Sequence, residues 1–187
     1  MTQGAQPTRT TSNPNWIRIG AIVVLAIIVA VVVWLIVKGG DDKKSSSGPP
    51  PASAATLNTL STLPGQLGHP VYWAGSRGGY TYELTQVDGN VFIRYLPSGV
   101  SVGDPRPNFL TVGTYPGKSY TALKRQAGRS GNQSRSGTGG STVFWSRSRP
   151  QSVYIIRPGS RIQVEVYDPS AARAQRLATS GAVKQIR

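Results

Sequence analysis

Residues 80–95, which read YTYELTQVDGNVFIRY, predict a β-hairpin. Aromatic and β-branched residues are concentrated in two short runs, 80–84 and 91–95, and Asp88-Gly89 lies between them. An Asp-Gly pair in this position is a strong signal for the tight turn that joins two antiparallel strands. We therefore expect the folded part of the chain to be built on an antiparallel sheet that includes this hairpin.

Further strands and two helices are predicted on the C-terminal side of the hairpin. The strand segments are short apolar runs, and they lie at residues 109–115, 142–146, 152–157 and 162–167. One helix is expected from an N-cap at Ser119 to Gly128, and a second from Asp168-Pro169 to about Gly181. The glycine-rich residues 128–140 are expected to form a mobile loop. The predicted fold class is α+β, an antiparallel sheet domain with two helices in the order strands, helix, strands, helix.

An internal duplication is suggested by residues that recur at a spacing of 72 positions. The first members of the matching pairs are Val71, Trp73, Ser76, Arg77, Tyr82, Tyr95, Pro97 and Ser98, and each recurs identically in the segment 143–170. This pattern favours two sheet-plus-helix halves related by a pseudo-twofold axis. The third strand changes hydrophobic parity under the alignment, because Val91 falls opposite Gln163, so the duplication also requires an insertion or deletion.

An uncharged apolar segment near the N-terminus predicts a membrane span. It runs from Ile19 to Val37, and 14 of its 19 residues are Ile, Val or Leu. A helix of this length is about 28 Å long, close to the roughly 30 Å thickness of a bilayer core. Trp16 lies at one end and Lys38 at the other, and no small-x-small cleavage site follows. Residues 16–38 are therefore predicted to be an uncleaved transmembrane signal anchor.

The remaining segments follow from composition. Residues 1–15 are predicted to be a disordered tail, residues 39–56 a Ser/Pro-rich linker, and residues 57–187 a basic extracytoplasmic α+β domain. Lys and Arg are comparably frequent on both sides of the anchor, so the positive-inside rule does not decide the orientation. The short tail and the Ser/Pro stalk favour a single-pass plasma-membrane protein with its C-terminal domain outside.

Several kinds of catalytic site are disfavoured by the composition. The chain has no cysteine, which excludes disulfides, zinc-thiolate sites and cysteine nucleophiles. His69 is the single histidine, so a triad or metal site built on histidines has no partners. Glu83 and Glu165 lie on predicted strands and are a conceivable glycosidase pair, but alternation on strands with one solvent-facing side is the commoner explanation for both glutamates, and it places Gln163 on the solvent side as well. No catalytic residue, metal ligand or cofactor is predicted, and the expected class is non-enzymatic.

Residues 113–119 have the context of a phosphate-binding loop, since they follow an apolar strand and precede a helix. The spacing departs from that motif, because three residues separate Gly113 from Gly117 where four are required. One of the three is Pro116, which has no N–H to offer a phosphate. A Pro-Gly turn followed by the Ser119 N-cap accounts for the same residues without a nucleotide.

Basic residues provide the most specific functional signal. The chain has 21 Lys and Arg against 7 Asp and Glu, and no acid lies between Asp104 and Glu165. Such a field attracts anionic polymers, lipid headgroups or acidic proteins. GC-rich codon usage, which raises the arginine content, is the alternative explanation. The residues predicted to bind an anionic partner are Lys124, Arg125, Arg129, Arg135, Arg147 and Arg149.

Two other functions stay open at this point. A protein-interaction module of a membrane complex would use the aromatic residues Tyr72, Trp73, Phe144 and Trp145 as its contact surface, although most of these are expected in the core. A nucleic-acid-binding domain would have to face the cytoplasm, and we therefore regard nucleic acid as an unfavoured partner. The sequence does not predict an oligomeric state.

Several motifs resemble a group of membrane-anchored proteins of high-GC Gram-positive bacteria. The similar segments are Pro70–Gly75, Tyr80–Leu84, Arg94–Pro97, Val102–Pro107, Phe109–Pro116, Ser152–Tyr154 and Val164–Pro169. The resemblance covers nearly the whole predicted domain. It implies a membrane-anchored topology with the domain held outside the membrane, and it implies no catalytic residues.

Overall fold

The computed structural model describes residues 51–187, which form an α+β domain dominated by an antiparallel sheet with three helices. The predicted α+β class is confirmed for this region. The predicted tail at 1–15, the signal anchor at 16–38 and most of the linker at 39–56 lie outside the described residues. Among residues 51–187, no helix combines the length and the apolar character that a membrane crossing needs.

Eight strands form one sheet in the order β1-β3-β4-β5-β9-β8-β7-β6, and every neighbouring pair is antiparallel. Two further strands, β2 and β10, pair with each other. The bounds are β1 Ser53–Ala55, α1 Leu57–Leu67, β2 Tyr72–Trp73, β3 Tyr80–Val87, β4 Asn90–Pro97, β5 Thr111–Pro116, α2 Tyr120–Ala127, β6 Asn132–Ser136, β7 Thr142–Ser146, β8 Arg149–Ile156, β9 Ile162–Tyr167, α3 Ala171–Thr179 and β10 Lys184–Gln185.

The predicted hairpin is confirmed as β3 and β4. Tyr82 pairs with Tyr95, and the register runs without interruption to the turn. Asp88 and Gly89 both have positive φ angles, of 50° and 75°. Two consecutive positive φ angles characterise a type I′ turn, whose twist matches that of the strands it joins. The turn therefore fixes which hairpin residues face the core.

The sheet has two faces because successive strand residues point to opposite sides. The first, here called the α1/α3 face, packs against Leu60 and Leu63 of α1 and Ala174 and Ala178 of α3. Its buried strand residues include Val91, Ile93, Val112, Val143, Val153, Ile155, Val164 and Val166. The second, here called the α2 face, carries a smaller cluster that consists of Leu123, Ala127, Phe144 and Ile156. The main core thus lies on the α1/α3 face.

The helix α1 was not predicted, so the expectation of two helices is wrong. Pro64 and Gly65 resemble a helix break, and Pro64 removes one backbone donor from the helix interior. The helix forms because Thr56 caps its N-terminus, and because Leu60 and Leu63 are each only 1% exposed against the sheet. Burial of these side chains outweighs the missing hydrogen bond.

Two strands lie in segments that were predicted to have no regular structure. Residues 53–55 fall within the predicted linker but form β1, which pairs with β3. Residues 132–136 fall within the predicted mobile loop but form β6, which pairs with β7. Both are edge strands of small or polar residues, a composition that gives no strand signal. The ordered sheet is therefore wider than the sequence indicated.

The other two helices follow the predicted capping chemistry with one shift. The hydroxyl of Ser119 accepts a hydrogen bond from the backbone of α2, as expected, and Gly128 ends the helix. Ser170, rather than Asp168, is the N-cap of α3. Asp168 is instead buried, where it accepts hydrogen bonds from the Ser170 backbone and the Arg173 side chain.

The structure does not follow the duplication suggested at 72 positions. That alignment equates β2 with β7, but β2 lies outside the large sheet whereas β7 is within it. The repeated unit that the fold does show is a three-stranded meander followed by a helix, β3-β4-β5-α2 and β7-β8-β9-α3. A twofold axis between the antiparallel strands β5 and β9 would place both helices on one face, but α2 and α3 occupy opposite faces.

Candidate anion-binding surface

Four of the six predicted anion-binding residues gather at one end of the sheet. This end, here called the basic end, consists of the C-terminal turn of α2, the α2–β6 connection and the β7–β8 turn. Arg125 lies in the last turn of α2, and Arg129 follows it in the connection. The backbone N–H of Arg147 donates to the carbonyl of Gly131 at 2.9 Å, which joins the two connections. Arg149 begins β8 beside them, so sequence-distant arginines become neighbours.

Local sequence explains why these connections meet. Ser119 starts α2 and Gly128 stops it, so the chain leaves the helix four residues before β6 begins at Asn132. Gly131 has a φ of +88°, which favours glycine, and it reverses the chain into β6. The side-chain amide of Asn132 donates to the carbonyl of Gln126 at 2.8 Å and fastens the connection to α2.

The two other predicted residues point elsewhere. Lys124 donates to the hydroxyl of Thr142 at 3.1 Å, towards the opposite end of β7. Arg135 lies on β6, opposite Val143, and its guanidinium stacks 5.5 Å from the ring of Trp145 on the α1/α3 face. Both side chains are exposed. Lys124 shares the last turn of α2 with Arg125, but its ammonium group is directed away from the rest of the basic end. Of the six residues predicted to bind an anionic partner, only four therefore contribute side chains to one surface.

Three of the five carboxylates of the described region form salt bridges within the fold. Glu83 pairs with Arg94, Asp104 with Arg106, and Asp168 with Arg173. The Arg106 side chain holds the pKa of Asp104 at about 2, below its usual range. No salt bridge within residues 51–187 involves the nine basic residues from 118 to 161, which are Lys118, Lys124, Arg125, Arg129, Arg135, Arg147, Arg149, Arg157 and Arg161.

Glu165 lies in a buried polar network on the α2 face. The hydroxyl of Tyr115 donates to its carboxylate at 2.5 Å, and the hydroxyls of Ser152 and Tyr154 also hydrogen-bond to it. Burial raises the pKa of Glu165, although these hydrogen bonds and the charge of Arg149 oppose the shift. The predicted solvent-facing positions of Glu83, Gln163 and Glu165 are therefore wrong, because all three residues are buried. For Gln163 and Glu165 the reason is that β9 is a central strand covered on both faces.

The glycosidase pairing of Glu83 and Glu165 is also excluded by the topology. Glu83 lies on β3 and Glu165 on β9, and β4 and β5 separate them. Three strand spacings amount to roughly 14 Å, whereas paired catalytic carboxylates lie about 5–9.5 Å apart. Glu83 is also occupied, because its second oxygen accepts the backbone N–H of Gly103 at 2.6 Å.

The remaining motifs have structural roles. Gly113 lies in the middle of β5 with the Tyr115 ring above it, and so it does not begin a phosphate-binding loop. Tyr72, Phe144 and Trp145 are buried, which confirms the expectation that most of the aromatic set belongs to the core. Within residues 51–187, His, Asp and Glu do not cluster in a way that could hold a metal ion.

The fold and the basic end together define a basic α+β domain with an exposed arginine surface. No family model, curated protein or solved structure matches this chain.

Proposed function

We propose that this chain is a single-pass, membrane-anchored cell-envelope protein whose basic domain binds an anionic partner, with no catalytic role. The observation that carries the proposal is the distribution of charge. Residues 51–187 contain sixteen Lys and Arg against five Asp and Glu, and three of the five acids pair with arginines outside the 118–161 segment. Arg125, Arg129 and Arg147 of the basic end therefore present positive charge to solvent without a salt bridge in the described chain.

The physical basis of binding is long-range attraction. Exposed like charges that are not paired focus a positive potential, which raises the local concentration of anionic polymer or lipid headgroups. Each basic residue near an anionic surface contributes about 1 kcal/mol at low salt. The partner class is therefore an anionic wall polymer, an anionic lipid surface or an acidic protein.

Retention of the full chain on an immobilised anionic polymer tests this proposal. The protein, in a non-ionic detergent, is loaded at about 0.1 M salt and eluted towards about 1 M, which shortens the screening length from roughly 10 Å to roughly 3 Å. We expect the variant with Arg125, Arg129 and Arg147 changed to Gln to elute at clearly lower salt. The matched control changes Arg176, Lys184 and Arg187, which are equally exposed, to Gln.

Two outcomes would contradict the proposal. Retention that does not depend on salt would remove the electrostatic mechanism. Equal elution of the two triple variants would show that net charge, rather than the basic end, governs retention.

The proposed topology rests on the apolar segment 19–37 and is tested separately. We expect an epitope placed after Arg187 to be removed when intact cells are treated with protease, because the domain is proposed to lie outside. Protection of that epitope in intact cells, with cleavage after lysis, would reverse the orientation and favour a cytoplasmic nucleic-acid-binding domain.

A further inference from the structure

A cleft lies at the opposite end of the sheet from the basic end. It has a volume of about 610 Å³ and is open to solvent. This volume falls within the range of small-molecule sites. The lining residues come from the start of β2, the end of β5 and the β8–β9 turn, and they include His69, Pro116, Gly117, Arg157, Ser160 and Arg161.

Two Pro-Gly turns form the walls of this cleft and are tied together by Arg161. The backbone N–H of Gly117 donates to the carbonyl of Arg161 at 3.0 Å. The Arg161 guanidinium returns a hydrogen bond to the carbonyl of Gly117 at 3.2 Å. The remaining N–H groups of that guanidinium are free to bind a ligand, since the side chain has five donors. The Pro116-Gly117 and Pro158-Gly159 turns are thereby held in a fixed relation.

The other polar groups of the cleft are also held before any ligand arrives. The guanidinium of Arg157 lies 4.7 Å above the ring of Tyr72, which fixes its plane. Ser160 accepts the backbone N–H of Ile162 at 3.1 Å, so its own hydroxyl hydrogen stays available to donate. Both ring nitrogens of His69 lie 3.0 Å from backbone carbonyls, which fixes that wall.

Charge near the cleft is almost entirely positive. Arg157 and Arg161 form no salt bridge within the described residues, and Lys118 follows Gly117 directly. The N-terminus of α2, with its partial positive charge, begins two residues after Lys118. One acid lies beside the His69 wall, since Asp88 directly precedes Gly89, whose carbonyl contacts His69.

From this geometry we infer that the cleft binds a phosphoryl group, as a free phosphate ester or as a lipid headgroup. The two guanidiniums and the hydroxyl that line this cleft supply several donors, which a phosphoryl group with its several oxygens can accept. Pre-organised donors lose little conformational entropy when the ligand binds. The site shares only the ligand class with the proposed function, and it is separate in space from the basic end.

His69 gives this inference a direct measurement, since it is the single histidine of the chain. The full chain, labelled with ¹³C at histidine, carrying no polyhistidine tag and held in a non-ionic detergent, is titrated with glycerol 3-phosphate at constant pH. Sodium chloride keeps the ionic strength constant. We expect a saturating shift of the single imidazole resonance. Mixed micelles that contain phosphatidylglycerol form the second arm, and a shift seen only there identifies a lipid headgroup as the ligand.

Variants separate this cleft from general electrostatics. Changing Arg157 or Arg161 to Gln is expected to weaken binding about tenfold or more for each residue. The matched control, Arg125→Gln, removes the same single charge at the basic end and is expected to retain the shift. Amide spectra establish that each variant is folded, and Ser160→Ala provides a milder change where an arginine variant unfolds.

The inference is overturned if neither probe gives a saturating shift, or if the Arg157 and Arg161 variants respond as the unmodified chain does. A negative result in this titration does not affect the salt-dependent retention on anionic polymer that is expected from the basic end. A negative result in the polymer-retention experiment, in turn, does not affect the expected shift of the His69 resonance. The two proposals can therefore fail independently.

Discussion

The pair of Glu83 and Arg94 is the best place to perturb the stability of the domain. The Glu83 side chain is 2% exposed and the Arg94 side chain 13%. Arg94 donates to the Glu83 carboxylate at 2.5 Å and to the carbonyls of Asp104 and Arg106 at 2.9 and 3.0 Å. One guanidinium thus ties the β4–β5 connection to the α2 face of the sheet, where its charge also compensates that of Glu83.

Replacing Arg94 with Met is expected to destabilise the domain strongly. The substitution keeps the apolar contacts of the side chain but leaves the Glu83 carboxylate buried without a counter-charge. Breaking a buried pair by removing one partner costs about 3–5 kcal/mol. With a urea m-value of about 2 kcal/mol/M, the unfolding midpoint falls by about 1.5–2.5 M. The measurement is urea unfolding of the full chain in a non-ionic detergent, followed by tryptophan fluorescence; the chain has four tryptophans, and the buried Trp145 becomes exposed when the domain unfolds.

A double-mutant cycle shows whether charge compensation is the cause. Glu83→Gln combined with Arg94→Met is expected to cost less than the sum of the two single changes, because the double variant buries no isolated charge. Arg106→Met is the control, since Arg106 is 59% exposed and its pair with Asp104 is solvated, and its midpoint should stay close to that of the wild type. A small midpoint change in Arg94→Met, or additive costs in the cycle, would refute this reasoning.

Three further changes test other parts of the fold. Burial raises the pKa of Glu165, so the contribution of this residue to stability is present below its unfolded-state pKa and decreases as pH rises through its folded-state pKa. Glu165→Gln should therefore flatten the pH dependence of the urea midpoint in that interval. An unchanged profile would contradict the burial argument. Gly113→Ala places a methyl group 2.9 Å from the Tyr115 ring and should cost about 1–3 kcal/mol, seen as a lower midpoint together with altered Tyr115 resonances; a neutral effect would show that the ring moves freely. Leu60→Ala should cost about 2–5 kcal/mol, whereas the same change at exposed Leu57 should have little effect, and similar costs at both positions would show that α1 is not held by burial.

Much of the fold was predictable because its signals are local. The Asp88-Gly89 turn fixes its own backbone, and the Ser119 hydroxyl caps α2 without help from distant residues. The helix α1 was missed because its local signal is unfavourable at Pro64, and the compensating burial of Leu60 becomes visible only when the sheet is present. β1 and β6 were missed for a related reason, since their residues become strands by pairing with β3 and β7 rather than by their own composition.

The sequence predicted that a basic surface exists, but not which basic residues form it. The sequence shows that basic residues between 118 and 161 have no acidic neighbours, and this follows from counting alone. Which of them come together depends on topology, as with Arg147, whose backbone N–H donates to the carbonyl of Gly131, 16 residues earlier in the chain. Arg135 was placed in the wrong group because β6 was not recognised, and strand alternation turns its side chain to the α1/α3 face.

The positions of the acidic residues favour the binding proposal over compositional bias as the explanation for the unpaired arginines. GC-rich codon usage accounts for the number of arginines, but it does not determine which of them receive a carboxylate partner. In the described residues, Glu83, Asp104 and Asp168 form salt bridges with arginines that hold loops and a helix to the sheet, while none of the nine basic residues from 118 to 161 forms a salt bridge. Unpaired like charges on one part of a surface repel each other and lower stability, unless a partner compensates them. The binding proposal therefore rests on this arrangement and not on the high arginine content.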